Sequence, residues 1–356
     1  MLAGLRALAG VLFLALSSSP AFAQSTAADA RAHESLRVAV YHAGLGRNGP
    51  GILLRDIRRA EADVLRARDT ITALAPDILL LLDFDWDLTG AALSAFGALL
   101  TEGGHAMPHT LAPRPNTGIA TGLDLDGDGR LGTNDDAQGW AEFAGGGGLA
   151  LLSRWPIDAD ALIDHTGFLW RDLPDARLPR RDGRVFPDET VFAIQRLASV
   201  AAFEVPVRVR GARLSILAYH AGPPVFGGAE NRNFNRNADE TAFWHHRLGG
   251  RFGPLPAAPF VLLANANLDP ERGDGDQRQM RALLSLPQLQ DPRPSAPLPA
   301  TGATDTATAH WPDGPGALRV DYALPSADLA VVDAGLSWPA GDARHALVWV
   351  DLEWPP

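Results

Sequence analysis

The residues best suited to chemistry in this sequence are polar side chains that follow runs of apolar residues. Residues 260–270 read FVLLANANLDP, in which four apolar residues precede Asn265, Asn267 and Asp269. This run predicts a buried strand that Pro270 stops, and its polar end is a rigid mount for chemistry. An Asn-rich turn is the structural alternative, because Asn and Asp are common turn residues.

The same construction recurs along the chain. Apolar runs with the character of strands occupy residues 37–44, 75–87, 147–157, 214–220, 260–270, 318–326 and 344–352. The polar residues that end or follow the first, second and fourth of these runs are His42, Asp83, Asp85, Asp87 and His220. Between the runs lie helical patterns, and this alternation of strands and helices is typical of the α/β class.

This order of strands and motifs resembles the endonuclease/exonuclease/phosphatase superfamily, which includes deoxyribonucleases, abasic-site endonucleases, sphingomyelinases and inositol-phosphate phosphatases. The resemblance spans essentially the whole mature chain. It implies a four-layered α/β sandwich, in which two mixed β-sheets pack face to face with helices outside. It also implies hydrolysis of a phosphate ester with Mg²⁺ or Mn²⁺.

The resemblance implies catalytic roles for several residues. It places an Asp–His pair at Asp321, within the letters RVDY, and at His345. In the family the aspartate orients the imidazole, and the histidine acts as general base or stabilises the transition state beside the metal. His220 matches a catalytic histidine that helps to protonate the leaving group or contacts the phosphate, and a histidine suits this role because its ordinary pKa lies near neutrality. Asn267 matches a residue that orients the phosphate. A hydrogen-bonded histidine at a sheet end is the structural alternative for His220.

The metal positions implied by the resemblance are altered in this chain. The family carries an asparagine and a glutamate where this sequence has His42 and Asp83. Both residue types bind metals, but they differ from Asn and Glu in softness and reach. Asp85 or Asp87 could take the glutamate's place, and an ordinary strand-end acid is the alternative for Asp83.

Two motifs depart further from the family. The family's G-D-x-N is ANAN here, so Asn265 replaces the acid that activates water or holds the metal. The family's S-D-H is ARH, so Arg344 replaces a second acid. An amide cannot accept a proton from water and a guanidinium repels a cation. Loss of a general base lowers a rate by about two to four orders of magnitude.

Two functions therefore stay open. In the first, the chain is a metal-dependent phosphoesterase with a rewired site, in which Arg344 stabilises the charge of the phosphoryl group. In the second, it is a catalytically impaired relative that binds a phosphorylated ligand. Arg232 and Arg236 follow His220 and could clamp a phosphate, or they are ordinary surface charges.

A separate acidic loop at residues 123–136 reads LDLDGDGRLGTNDD. Its spacing is that of a calcium loop with a glycine, Gly129, at the sixth position. The predicted ligands within the insertion 124–135 are Asp124, Asp126, Asp128 and Asp135. We expect Ca²⁺ to have a structural role there, and an acidic solvated turn is the alternative.

The first residues predict export. Residues 1–23 contain Arg6, an apolar run and a small-x-small end at Ala23, which together are typical of a secretory signal peptide. No later run is long enough to span a bilayer. We expect a soluble periplasmic or secreted protein, with a lead-in at 24–35 and one domain at 36–356.

Composition narrows the partners. The formal net charge of −11 disfavours a general nucleic-acid binder, although nucleic acid stays possible, and it favours a small or soluble phosphate ester. The absence of cysteine excludes disulfides, thiolate metal sites and a cysteine nucleophile. We expect a monomer.

Three element predictions concern the surroundings of the site. Apolar residues at helical spacing predict one amphipathic helix over residues 52–74. A second helix is expected around residues 239–248. The stretch from Trp170 to Arg184 within residues 158–190 is expected to be a surface insertion without chemistry.

Overall fold

The computed structural model describes residues 35–355. The predicted signal peptide and nearly all of the predicted lead-in lie outside these residues. Within them, no helix has both the length and the apolar character needed to cross a membrane.

One sheet has six strands in the order β16-β17-β1-β2-β4-β3. Its strands are β1 (Ser35–Leu45), β2 (Ile78–Phe84), β3 (His109–Leu111), β4 (Gly148–Ser153), β16 (Val331–Ser337) and β17 (Leu347–Glu353). β1 pairs with β2 in parallel and with β17 antiparallel, so the sheet is mixed.

The other large sheet has five strands in the order β15-β10-β9-β8-β5. Its strands are β5 (Ile163–Asp164), β8 (Ala201–Val209), β9 (Ala212–His220), β10 (Phe260–Asn265) and β15 (Asp321–Pro325). β10 is parallel to β9 and antiparallel to β15. Three short ribbons complete the strands: β6 (Arg180–Arg181) with β7 (Arg184–Val185), β11 (Ala296–Pro297) with β12 (Thr304–Asp305), and β13 (Ala309–Trp311) with β14 (Gly316–Leu318).

Six α-helices accompany the sheets in the described residues. They are α1 (Ile52–Arg58), α2 (Ala62–Leu74), α3 (Ala91–Glu102), α4 (Glu189–Phe192), α5 (Arg232–Leu248) and α6 (Gln277–Leu284). α1 to α3 contribute to a core on the outer face of the six-stranded sheet, and α4 to α6 to one on the outer face of the five-stranded sheet. A third core lies between the sheets. The predicted α/β sandwich with two packed mixed sheets is confirmed.

The central strands are apolar along their whole length because both of their faces are buried. In β2, Leu80 and Leu82 belong to the core between the sheets, whereas Leu79 and Leu81 pack under the helices. The strand therefore reads as a continuous apolar run and turns polar only at its end.

The predicted helix over residues 52–74 is wrong as one element. The chain forms α1 and α2, and between them Ala60 has φ 52°. This left-handed conformation ends a helix. Ile57 and Ile71 nevertheless pack in the same core, so the apolar spacing gave the buried face correctly but not the break.

The predicted surface insertion is also wrong at Trp170. This side chain is fully buried in the core outside the five-stranded sheet, together with Phe192. Its Nε1 donates a hydrogen bond of 2.7 Å to Asp239 of α5. An indole that reaches a buried acceptor can lie in a core, so the insertion forms part of the layer that supports α5.

Candidate active site

Three polar residues lie side by side where neighbouring strands of the five-stranded sheet end. His220 of β9 is in register with Asn265 of β10, and Asn265 is in register with Asp321 of β15. The sheet thus brings together residues that are 45 and 56 positions apart in the sequence. Because strand pairing fixes all three, the group is held by backbone hydrogen bonds.

The Asp321 carboxylate is buried and accepts hydrogen bonds on both oxygens. Oδ1 accepts from Nδ2 of Asn265 at 2.8 Å. Oδ2 accepts from Oγ1 of Thr308 at 2.9 Å and lies 2.8 Å from Nδ1 of His345. An ionised carboxylate accepts only, so His345 carries its proton on Nδ1 in this pair. Nε2 is then the nitrogen with a free lone pair, as a general base requires.

His345 is held from a second direction by Thr308, just before β13, and by Trp311 within β13. Thr308 donates to Asp321, its Oγ1 accepts from the backbone N–H of Asp321, and its carbonyl accepts from Ala346. The ring of Trp311 lies edge-on to the His345 imidazole, with centroids 5.4 Å apart. The histidine is thus positioned by an acid, a backbone contact and an aromatic ring.

The two asparagines of the ANAN motif play different parts. Asn265 is fully buried; its amide nitrogen donates to Asp321 and its Oδ1 accepts from the backbone of Asn267 at 2.9 Å. Asn267 has φ 47° and donates through Nδ2 to the carbonyl of Ala221 at 2.7 Å. Asn265 therefore completes a hydrogen-bond network, and its amide cannot serve as a base.

Three imidazoles form a cluster at the meeting point of the two sheets. The rings of His42 and His345 stack with centroids 4.1 Å apart, and His220 lies edge-on to His42 at 5.3 Å. Burial, with the neighbouring His345, lowers the pKa of His42 to about 4. Burial also holds the pKa of His220 well below its usual value. Both rings are therefore neutral at pH 7, and within residues 35–355 Nδ1 of each is buried without a hydrogen-bond partner.

Asp83 lies beside this cluster under backbone strain. It has φ 54°, and its carboxylate fills the space where a side chain on Gly46 or Gly147 would lie. A Cβ at either glycine would come within 2.8 Å of Oδ1 of Asp83. The two glycines thus make room for the acid. Among residues 35–355, no group donates a hydrogen bond to this carboxylate.

A cavity of about 670 Å³ opens in front of the Asp–His pair; we call it the first cavity. Arg344 lies on its wall, is exposed, and forms no side-chain hydrogen bond or ion pair with the part of the chain that the structure describes. Other residues that line it are His42, Asp83, Phe226, Asn267, Trp311 and His345. The cavity therefore combines a base, an amide, an acid and an unpaired cation.

Asp85 and Asp87 do not join this cavity. Asp85 lines a separate cavity beside Trp86, and its Oδ1 accepts from the backbone of Gly147 and Arg47. Burial raises the pKa of Asp85 to about 6. Asp87 accepts from three backbone N–H groups around the start of α3, so its carboxylate caps that helix.

The donors in the first cavity fit one divalent cation with few protein ligands. In the described part of the chain, the Asp83 carboxylate accepts no hydrogen bond, and the neutral imidazole of His42 has a buried Nδ1 without a partner. Cations such as Mg²⁺ are commonly bound through one or two carboxylates plus substrate phosphate and water. Within residues 35–355, three potential ligand atoms of acids or histidines converge only at Asp124, Asp126 and Asp128. The first cavity thus offers fewer preassembled ligands than that loop.

A second cavity of about 590 Å³ adjoins the first, and Arg232 and Arg236 lie on its wall. Arg236 is buried, and its guanidinium donates to four backbone carbonyls, those of Gln138, Arg196, Leu197 and Ala198. It is therefore a structural residue. Among the described residues, Arg232 makes one hydrogen bond, of 3.4 Å, to the carbonyl of Asp135, and its Nε is buried without a partner.

The predicted calcium loop is tightly folded. Asp124 accepts from the backbone of Gly127, Asp128 and Gly129, and ligand atoms of Asp124, Asp126 and Asp128 lie within 4.8 Å of one another. Asp135 is exposed outside this group. Because these carboxylates already accept backbone hydrogen bonds, the acidic turn accounts for the shape of the loop. Calcium stays a prediction.

Sequence reasoning missed three residues that hold the site together. Thr308 orients Asp321, as described above. Asn237 of α5 donates through Nδ2 to the carbonyls of Gly222 and Ala266 at 2.8 Å each, and so ties the loop after β9 to the loop after β10. Glu240 accepts from the backbone of Gly222. The one available signal was the unusual density of polar residues along α5.

Comparisons with known proteins agree on the fold. The family model described as Endonuclease/Exonuclease/phosphatase family matches residues 40–350. No curated protein matches the sequence. A solved endonuclease/exonuclease/phosphatase protein from Beutenbergia cavernae is similar with a TM-score of 0.57 and 18% identity, covering 90% of this chain and 72% of that one.

Weaker structural similarity extends to other proteins. An endonuclease/exonuclease/phosphatase family protein from Leptotrichia buccalis has a TM-score of 0.49 and 12% identity, covering 90% of this chain and all of that one. The human Nocturnin catalytic domain has a TM-score of 0.48 and 16% identity, covering 90% and 94%. The family match over most of the sequence shows that this chain belongs to the endonuclease/exonuclease/phosphatase family.

Proposed function

We propose that this protein hydrolyses a phosphate ester in the first cavity. The observation that carries the proposal is the buried Asp321–His345 pair, at 2.8 Å, on the wall of a cavity that also contains Asn267 and an unpaired Arg344. Members of this family are hydrolases that act on phosphate esters, and they typically use divalent metals such as Mg²⁺.

His345 supplies the base in the proposed reaction. Water attacks the phosphorus while Nε2 of His345 takes a proton from it, and the ester oxygen leaves with the bonding electrons. The Asp321 carboxylate stabilises the imidazolium that forms, because it accepts the Nδ1 hydrogen bond at 2.8 Å. Asn265 and Thr308 keep the carboxylate aimed at His345.

Phosphate binding is assigned to residues around the base. Neutral His220, on the wall of the second cavity, and the amide of Asn267, which lines both cavities, can donate hydrogen bonds to phosphoryl oxygens. Arg344 in the first cavity offsets their negative charge. His42 and Asp83 would hold a divalent cation, Mg²⁺ or Mn²⁺, which when bound supplies Lewis-acid stabilisation of the phosphoryl charge. Carboxylate and water ligands suit both Mg²⁺ and Mn²⁺, so we expect either ion to support the reaction.

A second candidate function is binding of a phosphorylated ligand without turnover. It is favoured by one observation: Asn265 spends both ends of its amide on hydrogen bonds to Asp321 and Asn267. Asn265 is thus a structural amide at the position where the family has a catalytic acid. The two candidates differ in turnover, not in the ligand.

Turnover of three substrates tests the proposal. The protein is treated with a chelator, and hydrolysis of bis-p-nitrophenyl phosphate, p-nitrophenyl phosphate and plasmid DNA is measured after addition of Mg²⁺, Mn²⁺ or Ca²⁺. We expect turnover with Mn²⁺ or Mg²⁺ that is lost in His345→Ala. Background rates from a protein whose circular dichroism shows it folded would instead support ligand binding.

Export through the predicted signal peptide at residues 1–23 belongs to the same proposal. The expected outcome is a periplasmic or secreted monomer whose first residue is Gln24. Expression with the leader, cell fractionation and N-terminal sequencing measure this. A full-length protein retained in the cytoplasm would contradict it.

A further inference from the structure

The two cavities meet at the residues assigned to phosphate binding. Asn267, Pro223 and Phe226 line both cavities, His345 lines the first and His220 lines the second. A phosphate at Asn267 therefore has open space on two sides. The ester group that leaves and the group that stays can each occupy one cavity.

The second cavity has the size and the walls of a ligand site. Its volume of about 590 Å³ lies in the range of small-molecule sites. Trp140 is 59% exposed and Phe226 is 89% exposed, and both line this cavity. Large aromatic side chains left in water offer flat faces on which a ring can stack.

Arg232 adds an unsatisfied polar group to this wall. Its Nε is buried without a partner, although a buried donor left unpaired is costly. The acids near it, Asp126, Asp135 and Asp136, attract the guanidinium but none of their carboxylates forms a hydrogen bond with it. Burial outweighs them and lowers the pKa of Arg232. A hydrogen-bond acceptor on a ligand would satisfy this donor.

We propose that the ligand is a phosphodiester whose second substituent lies in the second cavity, where a ring stacks on Trp140 and an acceptor atom of that substituent binds Arg232. This inference rests on the proposed function, because it uses the same phosphate position at Asn267. A phosphomonoester would leave the second cavity empty and Arg232 unsatisfied. The site therefore discriminates between the two ester classes.

Paired substrates test the inference. Bis-p-nitrophenyl phosphate offers one nitrophenyl ring to each cavity, and p-nitrophenyl phosphate offers only one ring. The rates of both are measured for the natural protein, Arg232→Ala and Trp140→Ala. Arg213→Ala is the matched control, because Arg213 is exposed at the opposite end of β9 from His220. Calorimetric binding of the diester is measured in parallel.

We expect kcat/KM for the diester to exceed that for the monoester at least about tenfold. Arg232→Ala should lower the diester kcat/KM about tenfold and Trp140→Ala about threefold, mainly through KM. Monoester turnover and the control should change less than about twofold. Equal use of both esters, or variants that affect both esters alike, would overturn the inference and leave the hydrolase standing.

The binding measurement separates the remaining outcomes. Diester binding without turnover, weakened in Arg232→Ala but not in Arg213→Ala, would support the second cavity and refute hydrolysis. A protein that neither binds nor hydrolyses the diester would refute both proposals.

Discussion

The two sheets contribute unequally to the site. The five-stranded sheet supplies His220, Asn265 and Asp321 in register, and the last two are joined by a hydrogen bond of 2.8 Å. The six-stranded sheet supplies His42 and Asp83. Nδ1 of His42 has no partner, and no described residue donates a hydrogen bond to Asp83.

The two sides of the site therefore have different roles: one positions the base, and the other is available to bind ligands. On the five-stranded side, Asn265 and Asp321 form a hydrogen-bonded network that fixes an acid and, through it, a base, whereas Nδ1 of the neighbouring His220 has no partner among the described residues.

On the six-stranded side, the candidate metal-ligand atoms of His42 and Asp83 are not used in hydrogen bonds, so they are available to a ligand that binds and leaves. The resemblance implies changed metal positions on both sides, at His42, Asp83 and Arg344 and also at Asn265 within the network, whereas the Asp–His pair is complete. The comparison predicts strong effects in the network and graded effects outside it.

The largest effect is expected when the Asp–His pair is broken. Asp321→Asn should lower the rate of phosphate-ester hydrolysis about 100-fold or more, since the amide favours the wrong tautomer of His345 and cannot stabilise its charged form. Steady-state kinetics measure this. Asp333→Asn, at an exposed position of β16, is the control. An unchanged rate would mean that Asp321 has no part in the reaction.

Restoring the family's acid should damage the network. Asn265→Asp removes the donor to Asp321 and places two carboxylates side by side, so we expect the free energy of unfolding to fall by about 2–3 kcal/mol, with lower activity. Urea unfolding and kinetics measure the two effects. Asn231→Asp is the control, because it makes the same change at an exposed residue whose side chain forms no capping hydrogen bond with α5. A large gain of activity would show instead that the site is a decayed one.

The stability that Glu240, which accepts a hydrogen bond from Gly222 near the site, gives to the fold should depend on pH. Burial raises the pKa of Glu240 to about 7, above its ordinary value near 4.5. The folded state therefore favours the protonated acid, and this contribution to stability is present below pH 4.5 and lost as the pH rises through 7. Relative to the natural protein, Glu240→Gln should gain roughly 2 kcal/mol in stability between pH 5 and 8.

Urea unfolding at several pH values measures that difference. Glu102→Gln on exposed residue 102 is the control and should show a constant difference. A difference for Glu240→Gln that is also constant with pH would mean that Glu240 is ionised in the folded protein throughout.

The smallest effect is expected at the acidic loop, which lies outside both halves of the site. Calcium at tenfold excess over its dissociation constant should stabilise the protein by about 1.4 kcal/mol if the sequence prediction holds. Thermal unfolding with and without Ca²⁺ measures this. Asp128→Asn should abolish the shift and Asp160→Asn should retain it. If Ca²⁺ does not change the thermal unfolding of the natural protein, the loop is an acidic turn that does not bind calcium.

The sequence predicted those parts of the fold in which the spacing of apolar residues reflects burial. Apolar runs predicted β1, β2, β4, β9 and β10, because a strand buried on both faces must be apolar throughout. They did not predict β8, which lies beside β9. Helix breaks were missed, since the left-handed Ala60 has no signature that separates it from a helical alanine. Trp170 was misplaced because its partner, Asp239, lies 69 residues away.

The site was predictable only where a motif and a strand end coincide. Asp321 and His345 were found through the family resemblance, and the structure places them 2.8 Å apart. Asp85 was predicted near the metal, yet it faces another cavity, because side-chain direction after the strand depends on the left-handed Asp83. Thr308 and Asn237 act through backbone contacts that no spacing reveals.

The most direct test of the two-part site is a Mn²⁺ titration of diester hydrolysis with the natural protein, Asp83→Asn and His345→Ala. We predict that His345→Ala lowers the maximal rate by about two orders of magnitude without changing the half-saturating Mn²⁺ concentration. Asp83→Asn should raise that concentration and retain more of the maximal rate. A His345→Ala protein that hydrolyses the diester at the natural rate would contradict the account.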